Sequence, residues 1–305
     1  MINLKSSFQI KAFDSKIDTI DQLISCVCPF KLELVNFFGP LVKTKHVIIQ
    51  AIFVFPENKP CLFVSAVQEC IDLYELDVFI SEYCSSELNA DLELGIKNSL
   101  DHIFISTPGV GKQLFIESNL ILDKIKHLFV AAGMRFITNF CDLILSVTNP
   151  VSDFSKRDDL KFFSFREFSY AQLNDLFLRS SVNSLDCPEG LKFKNIINVF
   201  NSLIYHPFFD ANGSQVALFD GQMVGFIFIV RQEVQAEIAY LGVAEEFRSK
   251  GIGSALMFET LGLLAMDKVE YLSVIVDEGN FPALNLYLRF GMKRKRSRIL
   301  FLAEG

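Results

Sequence analysis

The stretch Arg248-Ser249-Lys250-Gly251-Ile252-Gly253-Ser254-Ala255-Leu256 decides how this chain is read. Two glycines one residue apart stand behind an apolar, strand-like run at 237–243 and ahead of a helix-like run at 254–266. A turn so placed presents backbone N–H groups at the positive end of a helix, which is a phosphate-binding arrangement. Glycine suits both positions, because a Cβ would crowd an approaching phosphate or demand an unfavourable φ. A short G-x-G carries little information alone. The flanking strand and helix, with Arg248 three residues before the first glycine, give it context.

Working outward, a second ordered pattern follows: Asn280, Ala283, Leu286 and Tyr287, then Phe290-Gly291-Met292. On these two motifs the region 160–303 resembles the GNAT superfamily of acyl-CoA N-acyltransferases, whose hallmark is R/Q-x-x-G-x-G/A between a fourth strand and a third helix. The resemblance implies a pantetheine arm against the backbone of Leu241, Gly242 and Val243. It implies a pyrophosphate on the amides of Arg248, Ser249, Lys250, Gly251, Ile252, Gly253 and Ser254, and a pantetheine contact from Asn280. The implied reaction is direct transfer of an acetyl group from acetyl-CoA to a primary amine in a ternary complex, without a metal. Glu237 would remove the amine proton through water, the Leu241 N–H would polarise the thioester carbonyl, and Tyr287 would protonate the departing thiolate. Glu237 also reads as a strand-rim glutamate and Tyr287 as a core tyrosine with its hydroxyl at the edge. The alternative to an enzyme is a CoA-binding regulatory or partner-binding protein without transfer activity.

Around the motifs, the second half alternates strands and helices: strands at 162–168, 216–219, 223–230, 237–243, 271–276 and 298–302, helices at 170–180, 189–205, 254–266 and 282–290. This is an α/β (α+β) pattern. The first half reads as strands at 47–55, 61–67 and 73–80, a helix at 85–100, strands beginning at 103 and 114, a helix to 132 and a strand at 136–147, after an amphipathic stretch at 17–27. The polar run 148–159 marks a boundary, giving domains 1–150 and 158–305. Gly133-Met134 and Gly291-Met292 lie 158 residues apart, and the elements before each follow the same order. The reading is two GNAT-like domains, each a mixed, mostly antiparallel sheet flanked by helices. The first lacks R-x-x-G-x-G, because the offset sets Glu93 opposite Gly251 and Phe129 opposite Tyr287.

Composition bounds the rest. The 305 residues suit two cores, and half of them are hydrophobic, including 32 Phe, which excludes a disordered chain. The net charge of −7 divides into 12 Lys/Arg against 17 Asp/Glu through Pro150 and 17 against 19 beyond, which does not suit nucleic acid. A basic cluster, Arg289 to Arg298, reads as a solvated strand edge or as attraction for an anionic ligand. Seven scattered cysteines read as reduced thiols of a cytoplasmic protein rather than a zinc site, since Cys26-Val27-Cys28 has the wrong spacing. Apolar runs fall far short of the ~20 residues that span a membrane. Thr107-Pro108-Gly109-Val110-Gly111-Lys112 is read as a turn rather than a P-loop, because Ser106 and Gln113 occupy positions that motif reserves for Gly and Ser/Thr.

Overall fold

The computed structural model describes residues 9–14, 49–55, 62–70, 73–80, 90–106, 111–117, 120–147, 157–189 and 195–304. The stretch 17–27, the hairpin turn at 56–60, residues 107–110 and the linker through 156 lie outside them. Two compact units emerge, Met1–Ile137 with Arg298–Gly305, and Thr138–Ser297.

The first unit contains β1 (Gln9–Asp14), β2 (Ile49–Phe55), β3 (Leu62–Cys70), β4 (Leu73–Ile80), α1 (Ala90–Ser106), β5 (Gly111–Glu117) and α2 (Leu120–Ala131). The strands run in that order, and the end of β12 (Lys293–Ala303) closes the sheet against β5, from Arg298↔Glu117 to Ala303↔Lys112. β4 and β5 pair in parallel, as a strand-helix-strand crossover demands, and the other pairs described are antiparallel. The strand expected from 103 is instead the last turn of α1. Ile96, Leu100 and Ile103 follow helical spacing and are all fully buried, so one continuous apolar face carries the helix onto the sheet.

The second unit contains β6 (Arg135–Ser146, from Thr138 onward), β7 (Leu160–Ser164), α3 (Tyr170–Ser181), α4 (Ile196–Ile204), β8 (Gln215–Phe219), β9 (Gln222–Gln232), β10 (Gln235–Val243), α5 (Ile252–Met266), β11 (Tyr271–Asp277) and α6 (Phe281–Arg289). Its strand order is β6-β11-β10-β9-β8-β7, with only β10 and β11 parallel among the pairs described. β9 is apolar almost throughout because both its faces are covered. Ile227 and Ile229 join the core under α5 and α6, while Phe226 and Phe228 join a second core under α3 and α4. Much of the phenylalanine excess goes there: Phe165, Phe177, Phe200, Phe209, Phe226 and Phe228 pack ring on ring.

Three boundaries differ from the sequence reading. β7 stops at Ser164, whose Oγ accepts from Arg166 N and starts a 3-10 turn over Phe165–Glu167. α4 begins only after Asn195, which caps it through Ile197 N. β12 starts at Lys293, so most of the basic cluster lies in a strand, where Arg294 pairs with Glu278 and Arg296 with Asp142. These partners make the cluster part of the fold's own charge pairing. Among the described residues no helix is long and apolar enough to cross a membrane.

Candidate active site

The site begins where two parallel strands stop pairing. β10 and β11 are in register from Gln235↔Tyr271 to Ile238↔Val274, yet β10 continues to Val243 and β11 to Asp277. A register irregularity against β9 falls between Ile238 and Tyr240. Backbone of 239–243 therefore lies beyond the last β11 partner. A cavity of about 580 Å³ occupies this gap, lined by Leu241, Gly242 and Val243, the turn 248–254, Asn280 and Tyr287. Gly242 is required by packing: a Cβ would lie 2.6 Å from Ser180 Oγ and 2.9 Å from Tyr240 Cε1.

At the cavity's other end Ser249 and Gly251 both have positive φ, 61° and 78°. Gly251 is the N-cap of α5, and the first helical bond runs from Ala255 N to Gly251 O. The amides of Ile252, Gly253 and Ser254 thus precede that bond and open the helix. Arg157 holds the turn from the linker side, donating to Lys250 O at 2.7 Å while paired with Asp159. Gly253 has ordinary space for a Cβ, 3.4 Å from Leu286 and 3.5 Å from Leu241.

Arg248 does something the motif does not announce. Its guanidinium donates to Val243 O (3.2 Å), Asn183 O (3.1 Å), Ser180 O (2.8 Å) and Val182 O (2.7 Å). Three of these carbonyls end α3 and begin the following loop, where a helix leaves acceptors unsatisfied. The arginine thereby draws the loop 183–187 against the cavity. Asn183 and Cys187 both adopt positive φ, Asn183 Nδ2 donates to Glu245, and Cys187 N donates to Asp277 Oδ2. Asp186 sits between them and lines the cavity. Burial, then the nearby Asp277 carboxylate, push its carboxyl up to about 6. No local pattern in Leu185-Asp186-Cys187-Pro188 marks this aspartate, and the groups that give it meaning lie far along the chain.

Tyr287 is 4% exposed, on the inner face of α6, and burial raises its phenol well above the ordinary tyrosine value. It feels both Asp186 and Tyr240. Burial likewise pushes Tyr240 up to about 12, against hydrogen bonds from Ser180 and Ser184, and its ring stacks on Phe226 with centroids 5.5 Å apart. Asn280 caps α6, its Oδ1 accepting from Ala283 N, so its NH₂ is the part left to meet a ligand. The structure therefore brings together Leu241, Gly242, Val243, the turn, Asn280 and Tyr287. Glu237 is placed elsewhere, in a second cleft with His206, Arg231 and Ser273; Ala239 lines both.

Strand, glycine turn, helix and tyrosine-bearing helix follow in this order around a splayed strand pair, and residues 183–292 match the acetyltransferase (GNAT) family. Over 70 residues the chain is 39% identical to the mycothiol acetyltransferases of Clavibacter michiganensis subsp. michiganensis (strain NCPPB 382) and Clavibacter sepedonicus. That match spans 23% of this chain and 23% of each relative. Among solved structures, a GCN5-related N-acetyltransferase from Sphaerobacter thermophilus superposes with a TM-score of 0.63 at 16% identity, covering 97% of this chain and 95% of the other. A tandem GNAT protein from the clavulanic acid biosynthesis pathway gives 0.61 at 11% identity, covering 97% and 98%. These two likenesses are of fold.

Proposed function

We propose that the chain is an acetyl-CoA-dependent N-acetyltransferase acting on a primary amine, with its active site in the second unit. The observation that carries this is the parting of β10 from β11 at Ile238 and Val274, with one cavity joining the helix-start amides of α5 to Tyr287. Pyrophosphate would rest on the amides of 252–254. The pantetheine would run along 241–243 past the Asn280 NH₂. The thioester would then lie near Tyr287, with the Leu241 N–H as the group that polarises its carbonyl. Burial keeps the Tyr287 phenol protonated, so it meets the departing thiolate as a hydrogen-bond donor. Arg248 enters this reading as the clamp on the acceptor-side loop, since its side-chain donors are spent on carbonyls. Glu237 takes the proton lost as the C–N bond forms, through water entering at Ala239.

The same reading extends to the chain's origin as two copies, 1–150 and 158–305. Among the described residues each unit has six strands in equivalent order, with one parallel pair among the pairs described. The helices before the repeated Gly-Met end alike, with Met134 N donating to Phe129 O and Met292 N to Tyr287 O, beside Gly133 at φ 89° and Gly291 at φ 84°. The first copy carries Phe129, a core ring against Phe301, where the second carries its tyrosine. It has no acid to offer there.

Calorimetric titration with acetyl-CoA, followed by CoA-thiol release over a panel of primary amines, tests the proposal. Micromolar binding and amine-dependent release are expected; a protein that binds no acetyl-CoA sinks it.

A further inference from the structure

Resting on the transferase reading, the geometry points to Asp186 as a third acid–base group of the reaction: we propose that it binds the acceptor's ammonium inside the thioester cavity and takes its first proton. The carboxyl is set into the cavity wall, and among the described residues no donor meets its oxygens. Only its backbone N–H is bonded, to Ser184 Oγ at 3.1 Å. Among the described residues, the groups around it supply no cation. Asp277 is negative and already holds three donors, Thr138 Oγ1, Gly279 N and Cys187 N. Tyr240 and Tyr287 are neutral phenols, and the Arg248 donors go to four carbonyls.

A carboxyl set in a cavity wall with no counter-ion among the described residues is costly to a fold, and its natural complement is a cationic ligand. Asp277 deepens the negative field while its own oxygens are occupied, so an entering ammonium is directed to Asp186. The raised affinity of that carboxyl for protons lets it also relieve the ammonium of one, which a fully solvated aspartate does poorly.

The step balances as follows. R–NH₃⁺ gives one proton to the Asp186 carboxylate and becomes R–NH₂. Its lone pair attacks the thioester carbon, the C–N bond forms, the nitrogen loses its second proton to Glu237, and the C–S bond breaks. The thiolate takes the Tyr287 proton, the tyrosinate recovers one from solvent, and the protons on Glu237 and Asp186 leave to solvent. The net products are the amide, CoA thiol and one proton.

Asp186→Asn keeps the shape and removes the charge, and the test reads it in two ways. With CoA bound, the wild-type protein is titrated with n-butylammonium chloride against sodium chloride at equal ionic strength, following the melting temperature. A saturable upward shift is expected in the wild type and its loss in the variant; equal responses overturn the proposal. With any amine that the wild type acetylates, kcat/KM at pH 7 should fall about 100-fold in Asp186→Asn. That gap should narrow as pH rises and the free amine arrives already neutral, while acetyl-CoA affinity stays within about twofold. A pH-independent deficit, or none, overturns the assignment. Failure of the wild type to bind acetyl-CoA is a separate result and counts against the transferase itself.

Discussion

Single residues in this cavity are held by opposite requirements, and substitutions should separate them. At Gly242 the limit is packing. Alanine would push its methyl into buried Ser180 and into Tyr240, which packs against the phenylalanine-rich core, and should cost about 1–3 kcal/mol in urea unfolding. Gly253 has room, and alanine in the first turn of a helix is favoured over glycine by roughly 0.5–1 kcal/mol. Gly253→Ala should therefore leave stability equal or higher and yet weaken acetyl-CoA binding in calorimetry, because the methyl stands beside the pantetheine path. Asp186 also sets stability against activity. Its folded carboxyl titrates near 6 against about 4 in the unfolded chain, so its ionised form opposes folding. That cost is absent below pH 4, grows as pH rises through 6, and reaches about 2–3 kcal/mol above it. Asp186→Asn should be the more stable protein at pH 7.5 by that order, with the advantage vanishing at pH 4 in paired melting curves.

At the level of elements, α5 and its turn do more than offer helix-start amides. Through Arg248 they are bonded to the last carbonyls of α3, so the helix start proposed to receive acetyl-CoA also fixes the loop carrying Asp186. If Arg248 were mainly a phosphate ligand, Arg248→Ala would weaken acetyl-CoA in proportion, and more so at low salt. As a clamp, its loss should instead lower kcat/KM for the amine by tenfold or more, with acetyl-CoA affinity changed by less. Steady-state kinetics beside calorimetry distinguishes the two. This contact marks a limit of what was legible in the sequence. Strand, turn and helix around 237–266 were readable because each follows from local periodicity and from two glycines. The role of Arg248 was not, since its acceptors are backbone carbonyls, which any residue supplies. Asp186 stayed hidden for a similar reason: its meaning lies in the cavity it lines and in the nearby Asp277, which only a folded chain brings together. Periodicity also misplaced the end of α1, where Ile103 and Phe104 suit a strand by type and a helix by spacing.

For the whole molecule, the linker at 148–159 marks where the sequence starts over, but the compact units divide the chain differently. The closing strand of the first half, β6, pairs with β11 along all of Tyr271–Asp277, and the tip of β12 from the second half closes the first unit's sheet. Sequence order could not reveal this, because β6 and β12 have similar patterns and either could close either sheet. The exchange has a physical consequence for any attempt to isolate the catalytic half. A fragment of residues 158–305 would lose β6, exposing the β11 edge and the apolar groups that Cys141 and Leu143 cover, while its own Ile299 and Phe301 would have no core to enter. A fragment of residues 138–297 keeps β6 on β11 and omits the foreign strand tip. The second should give a cooperative urea transition and bind acetyl-CoA, whereas the first should aggregate or melt without cooperativity. Equal stability of the two fragments, measured by circular dichroism under urea, would show that β6 is dispensable to the site. It would also show that the phosphate turn and Tyr287 are organised without the strand that closes their sheet.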